Sequence, residues 1–208
     1  MLHCHTSHIA ENGYTLHNKG MENQSEAITY SAALRKASPF YDERPDAADV
    51  SLLVIHNISL PPGEFGTLGI EQLFTGTINP DDHPVYPEIA HLKVSAHCVI
   101  RRNGDVEQYV PFNYRAWHAG VSSFQGRQKC NDFAIGIEME GTDVLPYTDA
   151  QYNSLIKVSK EILNQYPLIT LGRVVGHNDI APGRKTDPGV AFNWPAYRQA
   201  LAAILQDR

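Results

Sequence analysis

Ser51–His56 reads S-L-L-V-I-H, with a polar residue only at each end. A continuous apolar run of strand length is the pattern of a strand covered on both faces, as in the parallel sheets of α/β proteins. It ends in His56-Asn57, so a polar pair sits where a buried strand emerges. In open α/β sheets, sites gather beyond strand ends. A second stretch, Val174–Gly189, repeats the arrangement: V-V-G-H-N-D-I-A-P-G-R-K-T-D-P-G. Two β-branched residues and a glycine deliver His177 to the end of a short buried strand. The loop beyond it, with Pro182, Gly183, Pro188 and Gly189, is too broken for helix or sheet. It returns Lys185 and Asp187 toward His177. A catalytic zinc takes three ligands from His, Asp, Glu or Cys and leaves one position for water, and a loop of this kind supplies that convergence. Read alone, the stretch is equally a solvated loop with one structural histidine, and a third ligand elsewhere decides. On neighbouring strands, His56 and His177 are placed to share an ion.

Further strands follow from the same pattern. Val94–Arg101 (V-S-A-H-C-V-I-R) reads as a strand, and R-N-G-D-V-E-Q-Y-V continues it as a hairpin, with Asn103-Gly104 as a type I′ turn. His97 lies within this strand. It competes with Asp187 as third ligand, although a mid-strand histidine more often bonds a neighbour and fits a supporting place behind the ligands. Ala134–Met139 (A-I-G-I-E-M) is another apolar strand, and alternation puts Glu138 and Glu140 on one face. A carboxylate in a buried strand is costly unless paired or used. Desolvation raises its pKa toward the range of a general acid or base, which marks Glu138, the deeper of the two. R-A-W-H-A-G puts Trp117 and His118 before a Gly/Ser loop, as a pocket rim or, for Trp117, as core. The long connection 61–93, with a short helix at Ile70–Phe74, is expected to form one wall of a cleft.

Thr148-Asp149-Ala150-Gln151 is a capping box opening a helix through about residue 165, stopped by Pro167. Asn193 caps a last helix, with Pro195 in its first turn, running to about residue 205. Ser31–Lys36 is read as a turn or two of helix. The expected fold is one α/β domain: a central mixed sheet of strands near 52–56, 95–101, 106–110, 134–139 and 173–177, flanked by the two helices. Residues 1–27 are polar and aperiodic and read as a disordered extension; residues 28–208 form the domain.

Composition narrows the function. The chain has 208 residues, one domain's worth, enough to bury about 70% of its unfolded surface. A formal net charge of −6 argues against a nucleic-acid partner. No apolar run is long enough to span a membrane. The N-terminal stretch lacks the basic and apolar regions of a secretory signal. Cys4, Cys98 and Cys130 form no paired spacing, so a reducing, cytoplasmic setting is expected. Nothing points to an obligate protein partner.

Five stretches in order, S-L-L-V-I-H-N, V-S-A-H-C-V-I-R-R-N-G, R-A-W-H-A-G, N-D-F-A-I-G-I-E and G-H-N-D-I-A-P-G-R-K-T-D-P-G, resemble the zinc-dependent N-acetylmuramoyl-L-alanine amidases. More closely, the chain resembles the cytosolic AmpD type, which recycles anhydro-muramyl peptides, over roughly Ser38 to Leu201. P-P-G-E-F-G, L-F-T-G-T-I and A-H-L-K-V-S-A-H extend the resemblance beyond the ligands. It implies the fold of that family and of peptidoglycan-recognition proteins. It also implies one Zn2+ held by His56, His177 and Asp187, with Glu138 as catalytic carboxylate and Lys185 beside the metal. The implied substrate is a small muropeptide, contacted by residues among Asn57, Lys93, His97, Trp117, His118 and Lys129; a purely structural role for Asn57 is the alternative. Where the family carries arginines for the peptide, this chain has Lys93 and Lys129, which keep the charge but lose the bidentate fork. Action on intact cell-wall peptidoglycan, or binding without cleavage, are the competing expectations.

Overall fold

The computed structural model describes residues 26–206. Its strands, in chain order, are β1 (Leu34–Arg35), β2 (Tyr41–Asp42), β3 (Leu52–Ile58), β4 (Cys98–Ile100), β5 (Val106–Gln108), β6 (Arg115–Ala116), β7 (Ser123–Phe124), β8 (Arg127–Gln128), β9 (Ala134–Glu140) and β10 (Val174–Gly176). Its helices are α1 (Gly69–Thr75), α2 (Tyr86–Ile89), α3 (Asp149–Gln165), α4 (His177–Ile180) and α5 (Trp194–Gln206). Six strands form one sheet in the order β1-β5-β4-β9-β3-β10. The run β4-β9-β3-β10 is parallel, β5 is antiparallel to β4, and β1 is parallel to β5, so the sheet is mixed as expected. β2–β6 and β7–β8 are short separate ribbons.

Alternation along the central strands sorts two layers. Leu53 and Ile55 of β3 and Ile135, Ile137 and Met139 of β9 pack with Leu155, Val158 and Ile162 of α3 and Tyr197 and Leu201 of α5. The opposite parity, Leu52, Val54 and Ala134, packs with Phe133, Val175 and Ile180. On that side Val99 meets Leu60, Ile70, Leu73 and Phe74. Both long helices therefore cover the same face, and short helices and loops cover the other. Right-handed crossovers that run in opposite directions along a sheet pass over opposite faces. The connection from β9 to β10 carries α3 over one face, and that from β3 back to β4 carries α1 over the other.

The helix ends follow their sequence signals. Thr148 Oγ1 accepts from Gln151 N and Thr148 N donates to Gln151 Oε1, both at 3.1 Å. The Gln151 amide also donates to the carbonyls of Ile100 and Glu140, tying the first turn of α3 to the sheet. Asn193 Oδ1 accepts from Ala196 N at the start of α5.

Several expectations are corrected. Ser31–Lys36 is a turn followed by the two-residue edge strand β1, because Leu34 and Arg35 pair with Glu107 and Gln108. The strand expected at 95–101 is confined to Cys98–Ile100, so His97 precedes it. The hairpin turn is not type I′: Gly104 has φ +90° whereas Asn103 does not enter the left-handed region, and Gly104 N bonds Arg101 O. That is a type I turn closed by a left-handed glycine, the three-residue hairpin loop. His177 opens the helical turn α4 rather than a fully irregular loop. The extension expected over residues 1–27 falls outside the described residues, apart from Glu26 and Ala27.

Candidate metal centre

Parallel strands bring their C-terminal ends to one edge of the sheet, and the polar residues of this chain collect there. In the β3–β9 register His56 stands opposite Glu138, on the parity that faces away from α3 and α5. Gly176 stands opposite Ile55, so His177 leaves β10 at the same edge. Asp187 is returned by the loop after α4, where Asn178 N donates to the Asp187 carbonyl at 3.0 Å. Gly189 lets that loop seat against the chain after β9: its φ is +82°, and a Cβ there would lie 2.1 Å from the Asp143 backbone.

Three donor atoms converge. His56 Nδ1 lies 2.9 Å from His177 Nδ1 and 3.1 Å from Asp187 Oδ2, and His177 Nδ1 lies 3.0 Å from the same oxygen. Ligands about 2.0–2.2 Å from a tetrahedral ion lie about 3.3–3.6 Å from one another, so this triangle is a few tenths of an ångström tight for zinc and of the right shape. The tautomers agree. His177 Nε2 is 3.1 Å from the Ala119 carbonyl, which only accepts, so the proton sits on Nε2 and the Nδ1 lone pair faces the cluster. Burial lowers the His56 pKa to about 4 against the opposing hydrogen bond to Asp187, which keeps the imidazole neutral as a ligand must be. Burial pushes the Asp187 carboxyl up, but hydrogen bonds to His177 and His56 outweigh it and hold it well below the usual range. The donor set fits a divalent zinc.

Glu138 is only 8% exposed, and its Oε2 has no hydrogen-bond partner among the described residues. Burial first, then the Asp187 carboxylate, raises its pKa well above the ordinary value, while Lys185 pulls the other way. The cluster floors a cleft of about 270 Å³ that also exposes Lys185. Leu73 and Phe74 of α1, with Leu92, form one wall, as expected of the 61–93 connection; Asn57, Trp117 and His118 also line it.

The remaining expected contacts divide. Asn57 Nδ2 is held by Asp143 Oδ1 at 2.8 Å while still lining the cleft. Trp117 both lines the cleft and packs, stacking on Phe40 and donating from Nε1 to Asp42. His97 is neither ligand nor lining residue: it is fully buried, with Nδ1 accepting from Gly136 N and Nε2 donating to the Tyr114 carbonyl. Lys93 is exposed and does not line the cleft. Lys129 lines a separate hollow of about 580 Å³ beside Arg184. His118 lines the cleft and also backs His56, its Nδ1 2.9 Å from His56 Nε2. Ala119 and Asn131 escaped the sequence reading, since a carbonyl contact and a backbone clamp leave no signature in residue type. Cys98 and Cys130 are buried free thiols, each within an apolar cluster.

Residues 46–190 match the N-acetylmuramoyl-L-alanine amidase family. The chain belongs to that family. It is 62% identical over 170 residues to the 1,6-anhydro-N-acetylmuramyl-L-alanine amidase AmpD of Salmonella typhimurium (strain SL1344), covering 82% of this chain and 90% of that protein. It is likewise 62% identical over 166 residues to AmpD of Escherichia coli (strain K12), covering 80% and 90%. A crystal structure of a selenomethionine derivative of AmpD superposes on this amidase with a TM-score of 0.80 at 60% identity, covering 83% of this chain and 95% of the other. The N-acetylmuramyl-L-alanine amidase AmiD of E. coli, solved with the substrate anhydro-N-acetylmuramic acid-L-Ala-D-γ-Glu-L-Lys, gives a TM-score of 0.55 at 29% identity, covering 73% and 57%. No helix among the described residues is long and apolar enough to cross a membrane.

Proposed function

We propose that this amidase is a zinc-dependent 1,6-anhydro-N-acetylmuramyl-L-alanine amidase acting in cytoplasmic recycling of peptidoglycan fragments. It cleaves the amide between the lactyl group of the muramic acid and L-alanine. Residues 28–208 are its catalytic domain, and one zinc ion is held by His56, His177 and Asp187. The observation that carries the reading is the meeting of those three donors, from two strand ends and one loop, beside a buried carboxyl with one oxygen that has no partner among the described residues. The named activity of the two enterobacterial relatives supports the substrate.

Bound there, zinc supplies Lewis acidity, polarising an amide carbonyl and lowering the pKa of water toward about 7. Glu138 takes the proton of the attacking water on its carboxylate and passes it to the leaving amine of L-alanine. Its raised proton affinity suits it to hold that proton between the two events. Lys185, opening on the cleft, sets its ammonium beside the negative charge that develops on the carbonyl oxygen as water adds to the carbonyl carbon; loss of one such donor costs about 3–4 kcal/mol in other enzymes. Leu73, Phe74 and Trp117 exclude water from the reacting bond, and Asn57, already oriented by Asp143, offers its amide to the substrate.

Mass analysis of a defined anhydro-muramyl tripeptide tests the reading. The expected products are free anhydro-muramic acid and a tripeptide with L-alanine at its amino end, with turnover abolished by chelation and restored by zinc. Unchanged turnover after thorough chelation overturns the metal mechanism. Clearing of intact sacculi with no cleavage of the small muropeptide assigns the enzyme to the wall instead.

A further inference from the structure

Both proposed histidine ligands turn their second ring nitrogen to the same two residues. His56 Nε2 meets His118 Nδ1 at 2.9 Å, and His177 Nε2 meets the Ala119 carbonyl at 3.1 Å. The pair is fixed from behind, because Asn131 Oδ1 accepts from the backbone N–H of His118 at 3.1 Å and of Ala119 at 2.8 Å. Asn131 is itself anchored through its carbonyl by the Arg44 guanidinium, which is buried. The sheet makes room for the arrangement at one point: a Cβ on Gly136 would fall 2.5 Å from the His118 ring. Glycine in the middle of β9 therefore lets that imidazole pack against the strand between His56 and His97.

We infer that His118-Ala119, clamped by Asn131, is a shelf that orients both histidine ligands, and that His118 is a positioning residue for metal binding. The inference rests on the zinc reading above. A His56 that offers Nδ1 to a metal carries its proton on Nε2, and that N–H donates to the lone pair of His118 Nδ1. His118 then carries its own proton on Nε2, which is buried without a partner among the described residues. Orienting partners of this kind are usually a carboxylate or a backbone carbonyl. This chain uses one carbonyl and one neutral imidazole on consecutive residues, so a single clamp sets the angle of two ligands. Arg184 completes the shelf by donating to the Ala119 carbonyl at 2.7 Å from the solvent side.

Zinc affinity, measured by competition with a chelating fluorophore, tests this without reference to turnover. His118→Phe keeps a ring but removes the acceptor, and its zinc affinity is expected to fall about 10–100-fold. His118→Asn puts Oδ1 near the place of Nδ1 and is expected to bind zinc close to the wild-type strength. Asn131→Leu weakens zinc in the same sense as His118→Phe, and Asn131→Asp, which keeps the acceptor, does not. Melting temperatures of the metal-free forms separate lost packing from lost metal. Equal affinity in His118→Phe and the wild type overturns the inference, as does a His118→Asn protein no tighter than His118→Phe. Should the Phe variant fail to fold, His118→Gln replaces it, since its longer arm carries the oxygen past the Nδ1 position; equal affinity in the Asn and Gln variants overturns the inference. A wild-type protein that takes up no zinc overturns this inference and the zinc reading together, whereas tight zinc with indifferent variants removes the shelf alone.

Discussion

The two faces of the central sheet are made by the same strands, residue by alternate residue, yet they do different work. On the face under α3 and α5, Ile55, Ile135, Ile137 and Met139 are fully buried among apolar neighbours. Each such side chain contributes about 1.5–3 kcal/mol by leaving water. On the other face the same two strands present His56 and Glu138, buried polar groups whose desolvation costs stability. Apolar packing covers both faces, and the cost of chemistry is confined to the strand ends of one of them. Sites of function commonly break the rules of local stability in this way.

The sharpest way to break the comparison is to change both faces and read both rate and stability. Asp187→Ala should abolish zinc retention and with it turnover, measured by metal content and product release. Glu138→Ala should keep the metal and lose about 10²–10⁴ in kcat, as expected for a general acid–base group. Full activity in both would end the assignment of this face to catalysis. On the helix side, Leu155→Ala should cost about 2–5 kcal/mol in denaturant unfolding while the folded fraction keeps its kcat. A selective loss of kcat there would mean the faces are not independent.

Glu138→Gln sharpens the contrast through pH. Folding raises the proton affinity of this carboxyl, chiefly by burial, so the native state binds its proton more tightly than the unfolded chain does. Its contribution to stability is therefore favourable at low pH and falls as pH rises past the ordinary glutamate value of about 4.3. The metal-free Gln variant should melt above the metal-free wild type at neutral pH, with the gap closing on acidification toward about pH 4. A gap that widens on acidification would contradict the sign. The smallest expected effect is Thr148→Ala, which removes the α3 cap: about 1 kcal/mol of stability with no change in kcat or zinc affinity.

What the sequence made legible, and what it did not, divides along the same lines. The apolar runs ending in His56 and His177, the alternation that sets Glu138 and Glu140 on one face of β9, and the caps at Thr148 and Asn193 are local patterns, and the structure carries each of them. The edge strand β1 is two residues long and has no period to read; only its pairing with β5 defines it. That α3 and α5 share one face depends on strand order, which no local pattern encodes. His97 and His118 illustrate the limit most clearly. Both are buried histidines near the site, yet one turns its ring nitrogens to backbone groups and the Arg44 guanidinium while the other meets a proposed ligand, and the difference lies in where each ring nitrogen points.

The pairing of β3 with β9 carries a last consequence. Because side chains alternate, a shift of one residue between these strands would turn His56 toward α3 and bring Ile55 or Asn57 opposite Glu138. The same shift would drive Leu53 and Ile55 out of the helix layer, so the hydrophobic packing acts as a ruler that keeps imidazole and carboxyl side by side. A single truncation under α3 leaves that register in place, because seven paired positions and the remaining apolar side chains still hold it, so the alignment at the reactive edge is lost only with the fold itself.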